Sequence, residues 1–139
     1  MRPDVLLRAA VLGASAGARS VTPLATLAQD GGGRWVRVLT LAAAGGELVA
    51  DKLPGTPSRL LPGPLAGRLL LGAVAGGWYA RRRGQSVVVP AVTAAAAAAA
   101  ASWAGARWRA VGARHGLAVP AALAEDGAAL TLAGAATRR

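Results

Sequence analysis

Three charged residues at the end of an apolar run have the types and spacing that could do chemistry: Glu47, Asp51 and Lys52. On an α-helix, Glu47 and Asp51 lie four residues apart on one face, where two like charges repel. A proton, a basic side chain from elsewhere in the chain or a bound cation would offset that repulsion. The spacing favours a polar centre that binds a cation or relays protons. The alternative is an interfacial helix end, with Asp51 and Lys52 solvated and Glu47 paired to an arginine.

Further candidates interrupt the first and the last apolar run. Arg19 divides the first run, where it is expected either to pair with Glu47 or to lie at a helix end and reach lipid headgroups. Glu125 and Asp126 lie in the middle of the last run, and we expect at least one of them inside the protein. Adjacent carboxylates point about 100° apart on a helix, so only one of the two is expected to face the same interior site.

The sequence has little of what common catalytic and metal sites require. It contains no cysteine, and its single histidine, His115, lies in a glycine-flanked loop. No histidine spacing suits zinc, no glycine-rich phosphate loop follows a strand, and no Gly-x-Ser-x-Gly turn is present. The sequence therefore predicts a protein that is not an enzyme and that holds neither a metal nor a cofactor.

The composition favours a lipid environment for a single domain, residues 1–139. Hydrophobic residues make up 54% of the chain and the mean hydropathy is +0.42, yet aromatic residues reach only 4%. A core in water would have to be filled by small side chains, which pack it poorly. In lipid, the same Gly and Ala residues let helix backbones approach closely.

The net charge of +10 raises the question of nucleic acid. The arginines, however, lie mostly between the apolar runs rather than along one polar helix face, as in loops that flank membrane spans. We therefore predict anionic lipid headgroups as partners and no nucleic-acid binding. Five alternating spans would divide the basic residues almost evenly, so this distribution leaves the orientation open.

The apolar runs predict an all-α, polytopic membrane protein with four to five transmembrane helices and breaks near Pro23 and Pro54. Gly72 and Gly76 have the spacing of close helix packing in lipid, and the alanine-rich fourth run is expected to pack among its neighbours. Two alternatives stay open: a signal peptide cleaved near Ala14-Ser15-Ala16, and four spans plus a re-entrant segment. The five runs are 5–28, 35–50, 65–80, 86–106 and 117–136.

A short repeat is compatible with two inverted halves, 5–54 and 86–136. Ala16-Gly17-Ala18-Arg19 recurs as Ala104-Gly105-Ala106-Arg107, and each copy is followed by a proline and then by an acidic pair. Inverted repeats with broken helices are common in transporters. Against the repeat, the spacings to the acidic residues differ, and such small residues recur readily in this composition.

Four segments resemble a family of small bacterial integral membrane proteins known as domain of unknown function 4126: 13–23 (GASAGARSVTP), 46–54 (GELVADKLP), 56–59 (TPSR) and 124–126 (AED). The resemblance implies a multi-pass helical protein of the bacterial cytoplasmic membrane, and it implies no activity.

Two functions follow as expectations. The first is a small ion- or proton-coupled transporter or channel-like protein with a buried acidic centre, forming a homo-oligomer because so few spans enclose a pathway poorly. The second is a membrane scaffold or lipid-interacting protein whose acids pair structurally with arginines.

Overall fold

The computed structural model describes residues 2–50 and 60–138, so Asp51, Lys52 and Pro54 lie outside the described residues. Within these ranges the fold is all-α, as predicted, and no strand occurs. The helices are α1 (Pro3–Ala18), α2 (Thr22–Gln29), α3 (Arg34–Ala50), α4 (Pro62–Arg82), α5 (Val88–Arg114) and α6 (Ala118–Thr137). The first apolar run is divided into α1 and α2 close to the predicted break at Pro23, and each later run forms one helix.

Helix α1 lies at the centre of the bundle, where it contacts α2, α4, α5 and α6, and it packs directly against the backbone of α5. A Cβ atom placed on Gly13 would lie 2.0 Å from the carbonyl oxygen of Ala94, and one on Gly17 would lie 2.4 Å from that of Ala98. Real Cβ atoms do not approach other atoms so closely, so both positions require glycine for this helix contact.

Helix α4 also packs on α5, through its own glycines. A Cβ atom on Gly76 would lie 2.6 Å from the Cβ atom of Ala94 and 2.7 Å from the carbonyl oxygen of Pro90. The predicted role of the Gly72 and Gly76 spacing is confirmed. The alanine-rich run packs among its neighbours on one face only, since Ala94 and Ala98 are buried whereas the residues around them are more exposed.

Helices α1 and α2 form a hairpin in which α2 runs back along α1. Val5 near the start of α1 and Leu27 near the end of α2 pack into the same buried cluster as Tyr79 of α4. The turn between them, residues 19–21, lies about 20 Å from Val5 along α1 and about 9 Å from Leu27 along the shorter α2, given a rise of about 1.5 Å per helical residue. Helix α3 packs against α2 and runs from the end of α2 toward this turn.

The repeated tetrapeptide has two different conformations. In the first copy, Arg19 follows the last residue of α1, whereas Arg107 of the second copy lies inside α5. Ser15, in the stretch that resembles a cleavage site, is buried and its hydroxyl donates to the carbonyl oxygen of Ala129, 2.9 Å away. This contact makes α1 part of the bundle.

Several charged side chains are buried, whereas many large apolar side chains are exposed. The residues buried to more than nine-tenths include Arg19, Arg68 and Glu125, while the largest fully buried side chains are Leu12 and Leu27. Large apolar side chains are instead exposed on every helix except α2, among them Leu7 (67%), Trp35 (74%), Leu70 (66%), Val88 (69%) and Val119 (69%). Water-soluble domains show the opposite arrangement, because charged residues are the least often buried.

Among the described residues, one helix, α5, is long and apolar enough to cross a membrane by itself. This falls short of the four to five such spans expected. The causes are physical: α1 and α2 have 16 and 8 residues, against about 20 for a bilayer core. Helix α4 contains Arg68 and several glycines, and α6 contains two adjacent carboxylates, all of which lower the apolar character of a helix.

Candidate functional site: the charged helix break

The turn between α1 and α2 leaves the ends of two helices inside the protein. Arg19 is extended, with φ −141° and ψ 108°, and its N–H still donates to Ser15. Helix α2 then begins at Thr22, with Pro23 at its second position, where the missing N–H has no partner to lose. Such a break exposes the last carbonyl groups of one helix and the first N–H groups of the next.

The carbonyl groups at the end of α1 are bound by side chains from α4 and α5. The Nη1 atom of Arg68 donates to the carbonyl oxygens of Gly17, at 2.6 Å, and Ala18, at 3.1 Å. The Oγ atom of Ser102 donates to the same Gly17 oxygen at 3.2 Å. Arg68 therefore places a buried cation at the negative end of the α1 dipole.

The N–H groups at the start of α2 are bound by Glu47 of α3. Its Oε1 atom accepts from the N–H of Ser20 at 2.8 Å, and its Oε2 atom accepts from that of Val21 at 3.1 Å. The Oε1 atom also lies 3.7 Å from Nη2 of Arg68. Glu47 thus acts as a helix cap supplied by another helix, with its negative charge at the positive end of α2.

Arg19 connects the break to α6. Its Nε atom donates to Oδ1 of Asp126 at 2.8 Å, and its Nη2 atom donates to the same oxygen. The two side chains are 3% and 13% exposed, so the pair is almost fully removed from solvent. We use the name break cluster for these side chains together: Arg19, Glu47, Arg68, Ser102 and Asp126.

A second ion pair joins α5 to α6 away from the break. Nε of Arg109 donates to Oε2 of Glu125 at 2.7 Å, and the Glu125 side chain is 6% exposed. Nearby, Nε1 of Trp108 donates to the carbonyl oxygen of Ala121 at 3.0 Å. Glu125 and Asp126 therefore face different arginines, which confirms that only one of them faces the break.

The predicted residues fall into three groups. The structure brings Arg19, Glu47 and Asp126 together at the break, places Glu125 apart from them, and leaves Asp51 and Lys52 outside the described residues. The suggested pairing of Arg19 with Glu47 is replaced by the pair of Arg19 with Asp126, because Glu47 is directed at the start of α2.

Sequence reasoning missed two members of the break cluster, Arg68 and Ser102. A signal for Arg68 was present, since an arginine just inside an apolar run needs acceptors if the helix is buried. Ser102 carried no such signal, because a serine within a helix commonly bonds to its own backbone.

The chemistry of the break cluster is that of structural pairing. Each described carboxylate in it has an arginine or backbone N–H groups within reach, so the charges offset one another. Among the described residues, no group of three or more side chains is placed to hold a metal ion. The cluster joins all six described helices: α1 and α2 at the break, α3, α4 and α6 through their charged side chains, and α5 through Ser102.

Cavities adjoin both ion pairs. One of about 330 Å³ is lined by Arg19 and Asp126 together with residues of α2 and α3, among them Thr22, Thr26 and Leu41. Another of about 500 Å³ is a groove with a mostly apolar lining between α1, α5 and α6, and Glu125 lies at its edge.

Comparison of the chain with known protein families, curated proteins and solved structures finds no match.

Proposed function

We propose that this protein is a multi-pass membrane protein in which α3, α4, α5 and α6 cross the bilayer and α1 and α2 form a re-entrant hairpin. The observation that carries the proposal is the distribution of residues: Arg19, Arg68 and Glu125 are buried, whereas large apolar side chains are exposed on every helix except α2. The four helices have 17, 21, 27 and 20 residues, within or above the length of roughly 17 to 25 residues that spans a bilayer.

The hairpin meets the main physical requirement for a helix break at membrane depth. Backbone polar groups cannot face hydrocarbon without hydrogen-bond partners, so non-helical backbone is tolerated there only inside the protein. At this break, Arg68 and Ser102 bind the free carbonyl groups, and Glu47 binds the free N–H groups.

For the role of the charges, we propose a structural one, which makes the protein a membrane scaffold or lipid-interacting protein. In transporters with broken helices, the helix ends bind the substrate or ion. Here the end of α1 is occupied by Arg68 and the start of α2 by Glu47. The positions that a transported ion would use are filled by the protein's own side chains.

Transport remains the second candidate because of one observation. The 330 Å³ cavity reaches the ion pair of Arg19 and Asp126, so a solute in it would meet both charges. Measurement of flux through the reconstituted protein for protons, alkali cations and divalent cations separates the two candidates. Flux that is abolished by Asp126→Asn would favour transport, and absence of flux for all of these ions supports the scaffold.

The re-entrant hairpin also suggests an orientation. It places the start of α1, the end of α2 and the end of α4 on one side of the membrane. The basic residues of that side are Arg2, Arg8, Arg34, Arg37, Arg81, Arg82, Arg83 and Arg138, against Arg107, Arg109 and Arg114 on the other. The excess of positive charge marks the first side as cytoplasmic.

Single-cysteine labelling tests this topology, because the chain has no cysteine of its own. We would place one cysteine at Asp4, Gly33 or His115, all exposed, and add a membrane-impermeant maleimide to intact cells or sealed vesicles. The hairpin predicts that positions 4 and 33 label from the same side and position 115 from the other. Five alternating spans predict that positions 4 and 115 label together and position 33 does not. Release of the protein from membranes into the soluble fraction during alkaline extraction would contradict both topologies.

A further inference from the structure

A polar cavity of about 390 Å³ lies where α2 and α4 end, at the opposite end of the hairpin from the break cluster. It is lined by Leu27, Asp30, Gly31, Tyr79, Arg82 and Arg83. We call it the interfacial cavity, because Trp78 and Tyr79 followed by three arginines are the residues that mark a membrane–water boundary.

Three polar groups in this cavity, those of Asp30, Tyr79 and Arg83, form no hydrogen bond or ion pair between side chains of the described residues. Tyr79 is only 4% exposed, yet its hydroxyl makes no hydrogen bond within the described part of the chain. Asp30 and Arg83 likewise form no ion pair with any described residue, although both are cavity-lining and have opposite charges. The guanidinium of Arg83 lies 5.2 Å from the centre of the Tyr79 ring, which places a cation beside the phenol.

Arg82 differs from Arg83 because the protein already uses it. Its Nη1 atom donates to the carbonyl oxygen of Leu27 at 2.9 Å, and its guanidinium stacks 4.5 Å from the centre of the Trp78 ring. This side chain fixes the end of α2 against α4 and forms one wall of the cavity. Among the residues that the structure describes, the groups left for a ligand are therefore one cation, one carboxylate and one phenol hydroxyl.

We propose that the interfacial cavity binds the headgroup of an aminophospholipid, a phosphate ester that carries a primary ammonium group. Arg83 and the Tyr79 hydroxyl bind the phosphate, and Asp30 accepts hydrogen bonds from the ammonium. Charge-assisted hydrogen bonds of both kinds are stronger than neutral ones. The inference rests on the proposed membrane location, since that location brings phospholipid headgroups to this level of the protein.

Other ligands fit less well. A simple anion would be attracted by Arg82 and Arg83 but repelled by Asp30. A metal cation would be attracted by Asp30 but repelled by the two arginines. A phosphatidylglycerol headgroup lacks a positively charged group that could pair with Asp30. A phosphatidylcholine headgroup has the positive charge but no N–H to donate, so it forfeits the hydrogen bonds to Asp30.

The test is a lipid titration of the delipidated, detergent-solubilised full chain. Short-chain phosphatidylethanolamine, phosphatidylglycerol and phosphatidylcholine are added separately, with free phosphoethanolamine as a further arm, and bound ligand is counted by native mass spectrometry. We expect phosphatidylethanolamine to bind about tenfold more tightly than the other two lipids, which corresponds to about 1.4 kcal/mol. Free phosphoethanolamine is expected to bind more weakly than the lipid, because it lacks the part that packs against Leu27.

Three variants assign the contacts. Asp30→Asn should remove the preference for phosphatidylethanolamine over phosphatidylglycerol, and Arg83→Gln should weaken binding of all three lipids. Arg81→Gln is the matched control, because Arg81 is adjacent and exposed but does not line the cavity. Circular dichroism checks that each variant retains its helices.

Three results would overturn the proposal: equal affinity for the three lipids in the wild-type chain, an unchanged preference in Asp30→Asn, or free phosphoethanolamine binding as tightly as the lipid. None of them would be confused with failure of the membrane proposal. That failure would appear as release of the wild-type protein from membranes during alkaline extraction.

Discussion

The break cluster and the interfacial cavity contain the same kinds of groups, arginines and carboxylates near helix ends, but differ in where the partners come from. At the break, Arg68 and Glu47 are bound to helix ends and to each other. In the cavity, Asp30 and Arg83 have no ion-pair partner among the described residues. The difference arises from burial. An unpaired charge deep in the protein costs several kcal/mol, whereas a charge at an interface can be hydrated by water or can bind a lipid headgroup.

The comparison predicts where the protein is sensitive to loss of charge. Variants of the break cluster should lower the free energy of unfolding, and variants of the interfacial cavity should change lipid binding instead.

The largest effect is expected for Arg68→Leu. This change leaves the Glu47 carboxylate and the carbonyl groups of Gly17 and Ala18 with fewer partners inside the protein, so the free energy of unfolding should fall by about 3–5 kcal/mol. Denaturant titration in detergent, followed by circular dichroism, measures it. Arg81→Leu is the control, and it should stay within about 0.5 kcal/mol because Arg81 is exposed. Equal losses in the two variants would contradict the structural role of the break.

Gly17→Ala should destabilise next most. The added methyl group would lie 2.4 Å from the carbonyl oxygen of Ala98, which forces the end of α1 away from α5 and from Ser102. Overpacking of this kind costs about 1–3 kcal/mol. Gly45→Ala provides the comparison, since nothing lies within 4 Å of its added Cβ atom and the helix should gain up to about 1 kcal/mol. Thermal unfolding of both variants in one detergent would show opposite signs, and a shared sign would argue against the close α1–α5 contact.

Glu47→Gln separates the structural function from transport. The neutral amide can accept one N–H at the start of α2 but loses its charge beside Arg68, so the structural role predicts a loss of about 1–3 kcal/mol. A transport role predicts a protein of unchanged stability whose flux is lost. Unfolding and flux are therefore measured on the same preparation, and a stable but inactive variant would favour the transporter.

The smallest effect on stability is expected for Asp30→Asn. Its carboxylate makes no ion pair with a described residue, so the free energy of unfolding should change by less than about 0.5 kcal/mol. The same variant should lose the lipid preference described above. A marked fall in melting temperature would show that the protein itself uses the Asp30 charge, and the contrast between the two regions would then disappear.

Several features could be predicted from the sequence because they depend on local patterns. The hydrophobic runs located the helices, Pro23 located the break, and the spacing of Gly72 and Gly76 predicted a close helix contact. Likewise, two adjacent carboxylates on a helix had to face different directions, and Glu125 and Asp126 do.

What the sequence left undecided was which charges would meet. Arg19 had several acidic candidates at long sequence separation, and Arg68 looked like a residue flanking a span. No local pattern could select Asp126 for Arg19 or direct Arg68 to the end of α1.

The sequence by itself determined that the described residues form helices and that their small side chains allow close packing. Only the tertiary structure decided that α2 turns back along α1, because a reversal at residues 19–21 is stable only when other helices supply partners for the backbone groups it frees. Those partners, on α3, α4 and α5, are separated from the break by 26 to 85 residues. These residues come within hydrogen-bond distance of the break only when the helices pack together.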